Sequence, residues 1–242
     1  MNTQISNLSQ ITVAILAGGF GTRLQSKVAG KQKVLAEVRN YPFLEYLLQQ
    51  LYKAGFRKIV LCTGYLSGQV EKTFGTKYKD MLLLYSAEEM PLGTAGSLRR
   101  ALSLLDSETV LVMNGDSFCE IDFKKFWQFH LDKGAQASLA LTSVSDTSRF
   151  GKVELGDDDR IVGFEEKKEG SGAGYINAGI YLINKELLAK LPENRKISIE
   201  QEVFPNWTDK KFYGYKGGNI FIDIGTPKTY EQAEQFFAKF KF

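Results

Sequence analysis

Strand-like and helix-like apolar patterns alternate along this chain from Ile11 onwards, and that alternation leaves few folds open to it. Residues 11–15, 58–62, 82–85 and 109–113 are short apolar runs, several of them β-branched, the pattern of buried strands. Between the first two, residues 43–54 carry Phe43, Leu44, Leu47, Leu48 and Leu51 at helical spacing, opened by Pro42 and closed by Gly55. Residues 67–74 and 93–105 read as two more helices, and 34–38 as a short extended piece. A repeated strand–helix order predicts a mostly parallel sheet with helices on both faces, an α/β fold. Ligands of such sheets sit outside the carboxyl ends of the strands.

The second half departs from that rhythm. A helix is expected over 124–133 and strands over 137–144 and 179–183. Residues 151–155 and 160–165 flank a turn at Gly156-Asp157-Asp158-Asp159, a hairpin laid beside the sheet. The polar, glycine-rich stretch 169–174 is expected to be disordered. Phe221-Ile222-Asp223-Ile224 precedes a closing helix from Lys228 to about residue 239. With no linker, internal repeat or low-complexity tract, one domain over 1–242 is the simplest reading, with a flexible start at 1–10 and no C-terminal β-helix.

The balance of 31 basic against 28 acidic side chains leaves a net charge of +3, too small to argue for nucleic acid or a membrane. Cys62 and Cys119 supply neither a disulfide framework nor a metal-ligand cluster, and Cys62 reads as packing. No apolar run reaches membrane-spanning length and residues 1–10 lack a signal-peptide core, so a cytoplasmic location is expected. The only histidine, His130, lies on an amphipathic helix and reads as structural. Phe236, Phe237, Phe240 and Phe242 could pack internally or across a homo-oligomer interface.

The first strand runs into Leu16-Ala17-Gly18-Gly19-Phe20-Gly21-Thr22-Arg23-Leu24. Such a loop can turn sharply, expose backbone N–H groups to an anion and, through Arg23, add a permanently charged fork. It is either a phosphate grip or only a tight turn. The dinucleotide fingerprint fails, because Leu24 stands where a third glycine is needed, and the Walker pattern fails at Gly30-Lys31-Gln32. Asp116 and Asp223 each end an apolar strand, where a carboxylate either caps a turn or binds Mg²⁺ together with phosphate oxygens and water. A pair facing one glycine loop favours the metal.

Taken as an ordered set, the motifs resemble the sugar-1-phosphate nucleotidyltransferase family. They are the glycine loop, Lys33, Pro91-Leu-Gly-Thr-Ala-Gly96, Asn114-Gly-Asp116, Phe150-Gly151, Glu166-Lys167, Asn177-Ala-Gly179 and Asp223-Ile-Gly-Thr226. The resemblance implies a Rossmann-like three-layer α/β/α sandwich with a small sugar-side hairpin. It implies that Leu16, Ala17, Gly18, Gly19, Gly21, Thr22 and Arg23, with Pro91, Gly93 and Thr94, bind the nucleotide. Arg23 would lie at the β/γ end, Lys33 at the α-phosphate, and Asp116 and Asp223 on Mg²⁺. Gly151, Glu166, Asn177 and Gly179 would contact the sugar, and Lys167 its phosphate. The reaction implied is in-line attack of a sugar 1-phosphate on the α-phosphorus of a nucleoside triphosphate, which needs positioning and charge neutralisation.

The family commonly has proline before the lysine, and here it is Gln32, so the Lys33 loop is expected to be more mobile. Family members for thymidine and uridine substrates tend to carry Gln where this chain has Glu88. A carboxylate only accepts, which suits the N1–H and N2–H donors of guanine and points to GTP, although a surface acidic pair Glu88-Glu89 is the plainer reading. The Lys33-Val-Leu-Ala-Glu-Val to Pro42-Phe-Leu-Glu-Tyr passage, the length and Glu88 are most similar to D-glycero-α-D-manno-heptose 1-phosphate guanylyltransferases, with mannose-1-phosphate enzymes next. A glycosyltransferase would want an Asp-x-Asp where Asp116-Ser117-Phe118 stands. A non-catalytic nucleotide-sugar sensor would have lost the charged phosphate contacts that Arg23, Lys33 and both aspartates retain.

Overall fold

Alternation of side chains along the strands decides how the layers form. In β1 (Thr12–Ala17), Val13, Ile15 and Ala17 enter the core on one face of the sheet and Ala14 the core on the other. The computed structural model describes residues 7–19, 21, 24, 30–64, 66–165, 167–170 and 172–239. A hairpin of β2 (Glu37–Val38) and β3 (Tyr41–Pro42) leads into α1 (Phe43–Ala54). Then come β4 (Lys58–Thr63), α2 (Ser67–Phe74), β5 (Lys77–Tyr78), β6 (Met81–Ala87) and α3 (Gly93–Arg100). The middle of the chain holds β7 (Thr109–Asn114), β8 (Ser117–Cys119), α4 (Phe123–Asp132), β9 (Ala137–Val144) and the hairpin β10 (Lys152–Leu155) and β11 (Ile161–Glu165). Last are β12 (Gly174–Asn184), α5 (Lys185–Ala189), β13 (Phe212–Gly218), β14 (Phe221–Asp223) and α6 (Pro227–Phe237).

Eight strands form one sheet in the order β13-β9-β12-β7-β1-β4-β6-β5. β1 pairs in parallel with β4 and β7, β4 with β6, and β13 with β9. β12 runs antiparallel to both β7 and β9, and β5 to β6. Residues of α1, α2, α4 and α6 pack on one face, and those of α3, α5 and the 199–207 segment on the other, which makes the expected α/β/α sandwich. Successive strands build out from β1 on one side through β4 and β6, then on the other from β7, so the sheet order reverses at β1 and β7. The crevice at such a reversal is where α/β sheets bind ligands. No helix among the described residues is long and apolar enough to cross a membrane.

Several local expectations change. Residues 34–38 are not simply extended: Lys33–Leu35 is a 3₁₀ turn, because the Gln32 side chain caps the Val34 N–H, and only Glu37–Val38 is strand. The helix expected over 93–105 is α-helical to Arg100 and tightens into a 3₁₀ turn over Ala101–Leu104. Leu8–Gln10, expected within a flexible start, is a 3₁₀ turn with Leu8 buried. The stretch expected to be disordered is tied down at Gly172, whose carbonyl accepts from the Thr147 N–H at 2.9 Å. Phe237 is buried among Phe43, Tyr46 and Phe118 of the same chain, the internal alternative for the C-terminal phenylalanines, while Phe240 and Phe242 lie outside the described residues.

His130 is structural. Its ring stacks on Trp127 at 5.8 Å, its Nδ1 bonds Ser138 Oγ at 2.8 Å, and it is buried. Burial pushes the imidazole down from 6.5 to about 4, opposed in part by a side-chain hydrogen bond with Asn184. The unfolded chain therefore takes up the proton first as the pH falls. The neutral ring's contribution is complete above pH 6.5 and is lost between 6.5 and 4, a loss bounded at about 3 kcal/mol. Urea unfolding at pH 7.5 and 4.5 should show a smaller acid loss in His130→Gln than in the wild type; equal losses would remove this histidine from the acid response.

Candidate active site

Two loops meet at the reversal point. Leu16 and Asn114 are paired residues of β1 and β7, and the Gly115 N–H donates to the Leu16 carbonyl at 2.9 Å, so the glycine loop and the Asn114-Gly115-Asp116 turn leave the sheet together. Gly21 has φ +59° and lies on the Lys33 stem: a Cβ there would stand 3.1 Å from Lys33 Cβ. Only glycine accepts both that backbone and that approach. Lys33 is almost fully buried along its stem and its Nζ donates to Asp116 Oδ2 at 2.5 Å. Loop and lysine, 12 residues apart in sequence at Gly21 and Lys33, are thus in contact. Thr22 and Arg23 lie outside the described residues.

The loosening expected from Gln32 does not follow. Its φ of −65° and ψ of 136° are what a proline would take, and its buried side chain bonds neighbouring backbone.

Asp116 and Asp223, 107 positions apart, are brought together by backbone pairing. β14 runs antiparallel to β8 with Asp223 opposite Ser117, and the Ile224 N–H donates to the Asp116 carbonyl at 2.9 Å. Asp223 Oδ1 accepts from the Gly225 N–H at 2.8 Å and from Thr229 Oγ1 at 3.2 Å, and Oδ2 from Arg149 Nη2 at 3.1 Å. Thr226 caps α6 in a reciprocal box with Thr229, so the Asp-Ile-Gly-Thr motif fixes both the carboxylate and the helix start. Among the described residues no cluster of three or more His, Cys, Asp or Glu could hold a metal. An oxygen-only pair, one on the turn before β8 and one at the end of β14, is the donor set that suits Mg²⁺, which takes one or two carboxylates and completes its shell with phosphates and water.

Two adjoining cavities share Asn114, Asp116 and Glu200 in their walls. The first, of about 410 Å³, is walled by Leu16, Ala17, Gly18, Gly19 and Lys33 on one side and Glu88, Pro91, Gly93 and Thr94 on the other. The second, of about 440 Å³, takes Gly151, Lys167, Asn177, Gly179 and Asp223. Glu166 lies outside the described residues. Each of the described residues expected from the sequence lines one cavity or the other, except Gly21, which lies against the Lys33 stem.

Internal bonds limit what some of these groups can offer. Glu88 Oε2 accepts from Ser97 Oγ at 2.8 Å and from the Leu92 N–H at 3.2 Å, while Oε1 lies over Gly18 and Gly64. The Thr94 hydroxyl donates to Glu200 Oε2 at 2.8 Å and accepts from the Ile199 N–H. Asn177 donates to the Tyr181 hydroxyl at 3.0 Å and accepts from the Gly179 N–H at 2.7 Å. The Pro-Leu-Gly-Thr-Ala-Gly motif serves mainly to dock α3: the Ile197 carbonyl accepts from the Ala95 N–H at 3.0 Å, and a Cβ on Gly96 would stand 2.5 Å from the Arg195 carbonyl. That docking brings Lys196 and Glu200 to the first cavity.

Sequence reasoning missed Glu200, Lys196 and Arg149. None belongs to a glycine or carboxylate motif, and the Ile199–Val203 π-turn that carries Glu200 has no periodic signature. The thiols of Cys62 and Cys119 are both buried, and burial pushes each up to about 12, which rules them out as nucleophiles.

Comparison with known proteins agrees with this arrangement. The D-glycero-alpha-D-manno-heptose 1-phosphate guanylyltransferase of Aneurinibacillus thermoaerophilus is 36% identical over 222 residues, 91% of this chain and 96% of that one. The mannose-1-phosphate guanylyltransferase of Mycobacterium tuberculosis is 34% identical over 225 residues, 91% of this chain but 63% of that one. HddC from Yersinia pseudotuberculosis, in its crystal structure complexed with GMP-PN, superposes with a TM-score of 0.83 at 30% identity, covering 94% of this chain and 99% of HddC. The Nucleotidyl transferase family matches residues 12–239, from the first residue of β1 past the end of α6 and so through both cavities, and the chain belongs to that family.

Proposed function

We propose that this chain transfers GMP from GTP to a sugar 1-phosphate, releasing pyrophosphate and forming a GDP-sugar, with D-glycero-α-D-manno-heptose 1-phosphate as the acceptor. The observation that carries the reading is the pair of cavities meeting at Asp116 beside Lys33, one walled by the glycine loop and the other by Lys167 and Asp223. Two substrates held there would meet phosphate to phosphate. The heptose choice is supported by similarity: the chain is 36% identical to the heptose relative and 34% identical to the mycobacterial mannose relative.

In this reading a phosphate oxygen of the sugar 1-phosphate attacks the α-phosphorus of GTP as the bond to the β-phosphate breaks. Backbone N–H groups of the glycine loop, with Arg23, hold the triphosphate, and the Lys33 ammonium offsets charge growing on the α-phosphate. Asp116 and Asp223 would hold Mg²⁺, which when bound neutralises phosphate charge and orients the two phosphates. Lys167 takes the sugar phosphate, and Gly151, Glu166, Asn177 and Gly179 face the sugar. Asn177 has one N–H and one lone pair left for a hydroxyl. No covalent nucleophile is needed.

Glu88 is assigned to the base. Ser97 and the Leu92 N–H occupy Oε2, which leaves the lone pairs of Oε1 to accept from guanine in this reading. Glu88→Gln should lower kcat/KM for GTP relative to TTP by about 10–100-fold, the worth of one bidentate base contact. An unchanged ratio would sink the assignment. The whole reading is tested by pyrophosphate release from GTP and Mg²⁺ with a panel of sugar 1-phosphates that includes the heptose and mannose compounds. Release with the heptose compound above all others is expected. Preference for mannose 1-phosphate would move the acceptor, and release with none would favour a binding protein over an enzyme.

A further inference from the structure

The residue that departs from the expected proline bonds the chain on both sides of Lys33. Gln32 is 1% exposed. Its Nε2 donates to the Ala17 carbonyl, and its Oε1 accepts from the Val34 N–H at 2.8 Å. Ala17 is the last residue of β1, next to Gly18, and Val34 the first after Lys33, so a single amide spans the gap between the two halves of the phosphate grip. The backbone N–H of Gln32, which a proline would lack, donates to Gln69 Oε1 at 2.9 Å. Gln69 Nε2 in turn donates to the Gly30 carbonyl at 2.9 Å. Gln69, on α2, therefore clamps the chain on both sides of Lys31.

We propose that Gln32, clamped by Gln69, is a positioning residue that sets the distance between the glycine loop and Lys33. A proline at 32 could impose the same φ on the chain. It could supply neither the bond to Ala17 nor the N–H for Gln69, so in this chain the register of Lys33 is transmitted from β1 and α2 through side-chain amides. A buried amide that merely filled space would change stability alone. One that positions Lys33 changes the chemical step, where a misplacement of an ångström is felt most, and leaves ground-state GTP binding largely intact.

The inference rests on the nucleotidyl-transfer reading above, and the test separates the two. Gln32→Ala, Gln32→Pro and Gln69→Ala are compared with the wild type for kcat, for KM of GTP, and for hydrogen–deuterium exchange of the peptide covering 30–36. In Gln32→Ala, kcat should fall about 10–100-fold while KM for GTP moves less than about threefold. Gln69→Ala should fall less, and exchange across 30–36 should quicken in both. Gln32→Pro should recover part of kcat by restoring the dihedral. If Gln32→Ala does not fold, Gln69→Ala, changed at a partly exposed position, carries the same test. Wild-type kcat in the alanine variants of an active enzyme, or unchanged exchange over 30–36, overturns the proposal. An inactive wild type overturns the functional reading instead, and the exchange data still decide whether the amides couple the loop to the lysine.

Discussion

Replacing Lys33 by alanine is expected to lower turnover by about 10²–10³-fold, the loss of one preorganised transition-state contact. The magnitude follows from where the ammonium sits. Its stem is 9% exposed and lies against Gly21, and its charge reaches Asp116 at 2.5 Å across the wall between the cavities. In such a partly dry site a cation aimed at a developing negative charge is worth more than in water. Deleting it also leaves the Asp116 carboxylate without this partner next to incoming phosphates, which repels substrate as well as failing to stabilise it. Arginine should not rescue the variant, since a planar, delocalised guanidinium presents its charge and donors differently from the compact ammonium that meets Asp116. Steady-state pyrophosphate release with circular dichroism as a folding control decides the matter. Near wild-type turnover would remove Lys33 from the mechanism.

Asp223→Asn is the second large effect, again about 10²–10³-fold in turnover by the same reasoning about one charged contact. The substitution keeps the shape and the acceptor that Gly225 N–H and Thr229 use, so α6 stays capped and β14 stays paired with β8. What changes is the other atom. Oδ2, now facing Arg149 at 3.1 Å, becomes an NH₂ donor pointed at a guanidinium, and the carboxylate that would hold Mg²⁺ is gone. The expected signature is a raised Mg²⁺ requirement with little change in the thermal midpoint. A variant as active as the wild type at low Mg²⁺ would exclude Asp223 as a ligand.

The sheet was legible because its central strands are continuous apolar runs, and helices such as α1 and α2 carry their own stop signals at Gly55 and Gly75. β13 was not. Phe212–Gly218 contains three glycines, and it is a strand because β9 beside it and the β10–β11 hairpin give it partners, not because its residues prefer it. The glycine loop and the two aspartates could be read because each is a motif at or just past a strand end, and Lys33 only through its place in the family's motif order. Their contacts could not: that Gly21 lies on Lys33, or that Asp223 pairs beside Asp116 at the end of a two-stranded ribbon, depends on tertiary pairing. Gln32 shows the limit most clearly. Read locally, the loss of a proline means slack; in the fold, the same residue gains partners from β1 and α2.

The ribbon that joins β8 to β14 has a consequence in time. Asp116 emerges during synthesis 107 residues before Asp223, an interval of roughly 5–20 s at ordinary elongation rates. Until β14 is made, β8 has no strand to pair with and Asp116 no second carboxylate beside it. The second cavity, whose wall includes both aspartates, is therefore closed late, once the strand bearing Asp223 has paired with the strand after Asp116.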